Sequence, residues 1–115
     1  MKGVKFKSDK FKKARGGYSR LLEITCGKCK EFICLYQKDG PGILKRMYLD
    51  RMLGTRDAEK FKGFTIKALP QLACSNCKEI IGIPILYKKE SRPAYRLFVG
   101  SVIKKIVNSK KATAN

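Results

Sequence analysis

The sequence predicts a mainly β domain of antiparallel hairpins with at most one short helix, which leaves room for a small α+β fold. Three observations carry this. Apolar runs of strand length recur, most clearly at residues 18–25, 30–36 and 80–87. Turn-forming clusters such as Lys38-Asp39-Gly40-Pro41-Gly42 fall between them. Two Cys-x-x-Cys motifs each sit between apolar runs, where the turn of a hairpin would lie. The 115 residues suit one domain. With 43% hydrophobic and 31% charged residues, that domain can bury a core, but a small one with a thin stability margin.

Residues 1–17 read as a flexible basic arm. Phe6 and Phe11 are its large apolar groups, and Gly16-Gly17 ends it like a hinge. Residues 18–107 read as the folded domain and 108–115 as a flexible tail. A first strand over 18–25 runs into Cys26. A second, over 30–36, points Glu31, Ile33 and Leu35 one way and Phe32, Cys34 and Tyr36 the other. Both faces are largely apolar, which predicts a central, buried strand. Residues 43–53 place Ile43, Leu44, Met47, Tyr48 and Met52 on one helical face and predict a short helix. Residues 54–62 read as a charged connection. A strand over 64–73 is demoted towards an edge or bulge by Pro70. Residues 80–87 are strongly β-like, and 96–107 read as a final strand or strand pair with a bulge at Gly100.

The chemistry is concentrated in Cys26-Gly27-Lys28-Cys29 and Cys74-Ser75-Asn76-Cys77. Two residues between cysteines form a tight knuckle that aims both sulfurs at one ion. Two knuckles supply four thiolates, which matches tetrahedral Zn²⁺. The expectation is one structural zinc on Cys26, Cys29, Cys74 and Cys77, with Lys28, Lys30 and Lys78 offsetting the thiolate charge. Forty-four residues separate the knuckles, so each should close its own hairpin, and the metal should staple two distant parts of the chain. The rival readings are a single iron, an iron–sulfur cluster and a redox dithiol, which needs an exposed cysteine of low pKa. Rubredoxin-type knuckles carry Gly directly after the second Cys, where this chain has Lys30 and Lys78. A closed four-cysteine shell leaves no position for water or substrate, so the site reads as structural. Structural zinc contributes about 10–16 kcal/mol in zinc-finger peptides, as much as the whole net stability of a typical domain, about 5–15 kcal/mol. The fifth cysteine, Cys34, reads as a small buried hydrophobe, with a reactive thiol as the other reading.

On these four cysteines and the strands around them, residues 18–107 resemble the broad zinc-ribbon class. The wide spacing is more similar to the two-knuckle zinc β fold of methionine sulfoxide reductase B and its non-enzymatic relatives. The resemblance implies metal ligation by Cys26, Cys29, Cys74 and Cys77. The reductase also needs a catalytic cysteine beyond the second knuckle, and no cysteine follows Cys77.

The formal net charge is +18, which predicts attraction to a polyanion, nucleic acid before an anionic membrane surface. Candidate nucleic-acid contacts are Lys12, Lys13 and Arg15 in the arm, Lys45 and Arg46 after the glycine turn, and Arg92 and Tyr95, where aromatics interleave with cations. Phe98 reads as core. Gly40-Pro41-Gly42 reads first as a plain turn. It could also offer the Gly40 and Gly42 amides to a phosphate near Lys38, Lys45 and Arg46. The chain has no histidine, which removes the commonest general base. Asp57 and Glu59 form the one close acidic pair, in a charged loop. A non-enzymatic domain binding RNA or a ribonucleoprotein is the leading expectation. A protein-interaction module with an acidic partner comes next, then a thiol enzyme using Cys34. No stretch resembles a signal peptide or a run of about 20 apolar residues, which predicts a cytoplasmic protein in which paired cysteines favour metal over disulfides.

Overall fold

Leu21, Leu22 and Ile24 of β1 (Ser19–Cys26) and Cys34, Leu35 and Tyr36 of β2 (Phe32–Asp39) fit a pleated, buried surface, and the two strands pair antiparallel. The register sets Leu22 opposite Tyr36 and Ile24 opposite Cys34, so alternation puts these four on one face. This hairpin is the centre of a four-stranded sheet in the computed structural model, which describes residues 6–53 and 66–108. β4 (Met52–Leu53) extends the sheet beside β2, and β8 (Val102–Val107) beside β1. The second sheet has the order β3 (Arg46–Tyr48), β7 (Arg92–Leu97), β6 (Ile80–Tyr87), β5 (Leu72–Ala73), and its described pairings are antiparallel. One core lies between the sheets. Ile24, Tyr36 and Met52 enter it from the first, and Met47, Ile81 and Tyr95 from the second.

The mainly β expectation holds, with one five-residue helix, α1 (Lys10–Ala14). The helix expected over 43–53 does not form. That segment is β3, a 3-10 turn at Leu49–Arg51 and then β4. Its apolar spacing satisfies either structure, and tertiary partners decide. Met47 pairs with Tyr95 and Tyr48 with Ala94, and the Tyr48 amide donates to the Tyr36 hydroxyl at 2.8 Å. Of the strand expected over 64–73, Leu72–Ala73 forms, preceded by a 3-10 turn at Ile66–Ala68. Pro70 lies outside the ladder and offers its carbonyl to the Tyr95 hydroxyl. Gly100 sits in the turn between β7 and β8 with φ +76°, so it reverses the chain instead of bulging a strand. The bulges fall between Ile24 and Thr25 and between Leu72 and Ala73, each just ahead of a cysteine knuckle. The charged connection over 54–62, Asp57 and Glu59 lie outside the described residues, as do residues 1–5 and 109–115.

Residues 6–17, assigned above to the arm, carry α1 and contact both sheets. Asp9 caps the helix by accepting from the Phe11 and Lys12 amides at 3.1 Å. The Lys7 backbone exchanges two hydrogen bonds with the Gln37 side chain, at 2.8 and 2.9 Å. No residue of α1 is buried, so the arm is held through polar groups. The strongest of these belong to a network on three arginines. Arg51, 1% exposed, donates to Asp39 at 2.9 Å and to Asp9 at 2.7 Å. Arg92, 3% exposed, grips both oxygens of Asp50 and also reaches Glu90. Its guanidinium lies 4.0 Å from the Phe11 ring centroid and 3.7 Å from that of Tyr48. Arg15 completes the set on Glu90 at 2.9 Å.

The Arg51 guanidinium holds the Asp9 carboxyl down at about 2, helped by the two amides it caps. A carboxylate depressed in the folded state adds stability above its ordinary pKa and loses it as pH falls towards the folded value. Asp9 should therefore give up its contribution between pH 3.8 and about 2. Asp9→Ala at neutral pH should cost about 2–4 kcal/mol, combining a lost cap with a lost charged hydrogen bond. Trypsin should then cleave after Lys12, Lys13 or Arg15 faster than in the parent chain, read by mass spectrometry. An unchanged cleavage rate would show that Asp9 does not anchor the arm.

Candidate metal centre

Each knuckle closes one hairpin, as the spacing predicted. Cys26 ends β1, and residues 27–29 turn the chain towards β2. Cys74 follows β5, and residues 75–77 turn it towards β6. The two hairpins belong to different sheets. The knuckles share the same closing backbone hydrogen bonds. The Lys30 amide donates to the Cys26 carbonyl and the Lys78 amide to the Cys74 carbonyl, both at 2.9 Å. The Cys26 amide donates to the Glu31 carbonyl at 2.8 Å, and the Cys74 amide to that of Glu79 at 2.9 Å. Lys30 and Lys78 take left-handed backbone conformations, φ +69° and +67°, a region that favours glycine. Each turns its ammonium back onto the second residue of its own knuckle, Lys30 to the Gly27 carbonyl at 3.0 Å and Lys78 to the Ser75 carbonyl at 2.8 Å. The repeat visible in the sequence is therefore Cys-x-x-Cys-Lys-Glu, two residues longer than the cysteine motif.

Gly27 has a second role. A Cβ there would stand 2.5 Å from the Gly100 carbonyl oxygen, so only glycine lets the knuckle approach the β7–β8 turn this closely. The Gly27 amide uses that approach to donate to the Ser101 carbonyl at 2.9 Å.

The four sulfurs converge. Cys26 Sγ lies 3.7 Å from Cys77 Sγ, Cys29 Sγ lies 3.6 Å from Cys74 Sγ, and all four fall within 4.8 Å of one another. Thiolates about 2.3 Å from a tetrahedral ion sit about 3.8 Å apart, so the donor set and its spacing fit one metal ion. Cys26 and Cys74 are buried, while Cys29 and Cys77 are half-buried. Local dipoles favour thiolates on the first knuckle. The Asn76 side chain and the Glu31 amide lower Cys29 to about 6, and the Cys29 and Lys28 amides lower Cys26. Cys77 moves the other way, to about 11. The Glu79 amide favours its thiolate, but burial and the three neighbouring thiols oppose it. Four thiolates at this spacing repel unless a cation sits among them. The Lys28–Glu79 pair across the knuckles, 3.4 Å and exposed, contributes little.

The remaining sequence candidates separate. Lys13 and Lys45 are exposed, Lys12 and Arg46 half-buried. Arg92 and Tyr95 are not surface groups. Arg92 is enclosed by Asp50, Glu90 and two rings, and Tyr95 is fully buried with its hydroxyl on Pro70. Both faces of β7 are covered at this point, since Arg92 and Ala94 on one face and Tyr95 on the other are all buried, and exposure begins at Arg96. Phe98, expected in the core, is 46% exposed in the turn after β7. Cys34 is fully buried among apolar neighbours, and burial pushes its thiol up to about 12. Sequence reasoning missed Arg51, the most buried charged side chain among the described residues. The signal available was the loose one of an arginine inside an apolar run, Met47 to Leu53.

Fold and site define a two-sheet β protein whose four-cysteine cluster can hold a metal ion. No protein-family model, curated protein or solved structure matches the chain. Among the described residues, no helix is long and apolar enough to cross a membrane.

The cluster should bind one ion per chain, counted by native mass spectrometry. Cys74→Ser should abolish that binding and lower the thermal midpoint steeply. Cys34→Ala should keep the ion and cost about 1–3 kcal/mol, as other small truncations of buried side chains do. A metal-free parent chain with unchanged stability in Cys74→Ser would remove the site.

Proposed function

We propose that the chain is a non-enzymatic β domain, held together by zinc, that binds nucleic acid, RNA or a ribonucleoprotein in particular. One observation carries the reading: the fold separates its charges. Asp9, Asp39, Asp50 and Glu90 are taken up by Arg15, Arg51 and Arg92. That network holds three cations against four anions, so the rest of the chain carries 24 cations against 5 anions, a net +19. Among the described residues, only Glu23, Glu31 and Glu79 remain to face the other cations. Arg46 even stands directly opposite Arg96 across β3 and β7, an arrangement that costs stability unless an anion lies nearby. A surface so one-sided attracts phosphate chains and repels its own kind.

Zinc is the metal of this proposal because four thiolates at tetrahedral spacing suit it best and leave no open position for a substrate. The turn of Phe98 and fully exposed Val99, beside the first knuckle, favours a second reading as a protein-interaction module. The thiol-enzyme reading has little support, since Cys34 is buried and its thiol pushed up.

Purified protein should contain zinc and bind a short labelled single-stranded RNA, with log affinity falling linearly against log salt. The slope should be about 0.7 for each phosphate contacted. Binding that ignores salt, or none at low salt, would overturn the nucleic-acid reading. Retained RNA affinity in Val99→Glu would separate it from the protein-interaction reading.

A further inference from the structure

The structure gathers three of the dispersed basic candidates around one cavity. Arg15 from the arm and Lys45 and Arg46 from the entry to β3 line a space of about 110 Å³, together with Lys38 and Tyr48. On this measure a single water needs about 10–15 Å³, so the cavity admits a tetrahedral oxyanion. The carboxylate in its wall, Asp39, is already engaged by Ser19, Gln37 and Arg51. Lys38 points its ammonium at three backbone carbonyls of the glycine turn, at 3.2–3.3 Å. Those three carbonyls occupy its three N–H donors, no carboxylate among the described residues pairs with it, and burial, then Arg20 and Arg15, lower its pKa, so it serves as wall and field. Arg15 keeps Glu90 at 2.9 Å and enters the wall already paired, so Lys45 and Arg46, which have no acidic partner among the described residues, are the cations open to an anion.

Tyr48 gives the cavity its direction. Its hydroxyl oxygen accepts from Arg15 Nη2 at 3.1 Å and from Arg46 Nε at 3.3 Å. Both lone pairs are then occupied, so the hydroxyl proton remains to donate. An anion in the cavity is a suitable acceptor for that proton. Beside Ile43 and Leu44 lies a second, larger depression of about 290 Å³, lined by Arg20, Lys104 and Ile106, with Lys38 common to both. Ile43 is 75% exposed and Ile106 59%, so apolar surface alternates with cations along this path.

We infer that the cavity of Arg15, Lys38, Lys45, Arg46 and Tyr48 is a phosphate subsite for one backbone phosphate of a single-stranded nucleic acid, whose chain continues over Ile43 towards Lys104. This deepens the nucleic-acid reading and rests on it for the identity of the ligand. The site answers to phosphate itself, so the two can fail separately.

Two measurements on the full, metal-loaded chain decide it. Inorganic phosphate should shift the amide resonances of residues 44–48 selectively and saturably. The Lys45→Ala/Arg46→Gln double variant should bind short single-stranded RNA about tenfold more weakly, the worth of one charge-assisted hydrogen bond. Its salt slope should also be lower by about 0.7 for each phosphate that the variant no longer neutralises. The control is Lys67→Ala/Lys105→Ala, which removes the same charge from exposed positions outside both depressions. If Arg46→Gln unfolds the chain, the exposed Lys45→Ala alone replaces the double variant, paired with Lys67→Ala. Equal weakening in pocket and control variants, or no selective phosphate shift, would overturn the subsite even if RNA still binds. Selective phosphate shifts with no RNA binding at low salt would keep the anion site and overturn its assignment to a nucleic-acid backbone.

Discussion

Four sulfurs within 4.8 Å of one another join a hairpin turn of one sheet to a hairpin turn of the other, and the rest of the fold is arranged around that meeting point. The core between the sheets is small, and its edges are thinly covered. Ile103 and Ile106 of β8, for example, stay exposed. Packing alone gives a domain of this size a narrow margin. A metal ion held by these sulfurs would compensate by closing the long loop between knuckles with 44 residues between them. The bulges ahead of each knuckle and the approach of Gly27 to Gly100 serve this geometry.

The opposite end of the first hairpin is organised by charge. Arg51 and Arg92 are buried side chains whose cost of leaving water is offset only by well-placed carboxylates. Asp39 and Asp50 meet that need from adjoining segments, and Asp9 and Glu90 add to it from the N-cap of α1 and the β6–β7 turn. A hydrophobic substitute for such a network can be as stable. What the network adds is register, because each guanidinium fixes the direction of two or three elements at once. It also pairs off four of the acids, which links the way the chain folds to the sign of the field it presents.

Much of this was legible in the sequence because it depends on local pattern. The cysteine spacing placed both knuckles and both hairpins. The period-two apolar runs placed β1, β2 and β6. The legibility stopped where partners are distant. Met47, Tyr48 and Met52 suit a helix face as well as a strand–turn–strand, and only the ladder with β7 selects the latter. Arg92 and Tyr95 looked like a surface pair because a charge next to an aromatic ring usually is one. Nothing local announces that Asp50 and Glu90 will enclose that arginine. The cavity at Tyr48 has the same origin. Its cations are 31 residues apart between Arg15 and Arg46, and the docking of α1 brings them together.

That docking has a character of its own. α1 buries no residue, while β1 and β2 bury Leu21, Ile24, Cys34 and Tyr36 almost completely. With so little burial, the helix should open at a lower free energy than the sheets. Salt screens partly exposed ion pairs such as Arg15–Glu90 and leaves apolar burial largely unaffected. Rising ionic strength should thus loosen the helix well before the sheets, so that amide hydrogen exchange in Phe11–Ala14 speeds up with added salt while that of β1 stays slow. Because Arg15 follows α1 directly and lines the cavity, ionic strength would then set how completely that cavity is assembled.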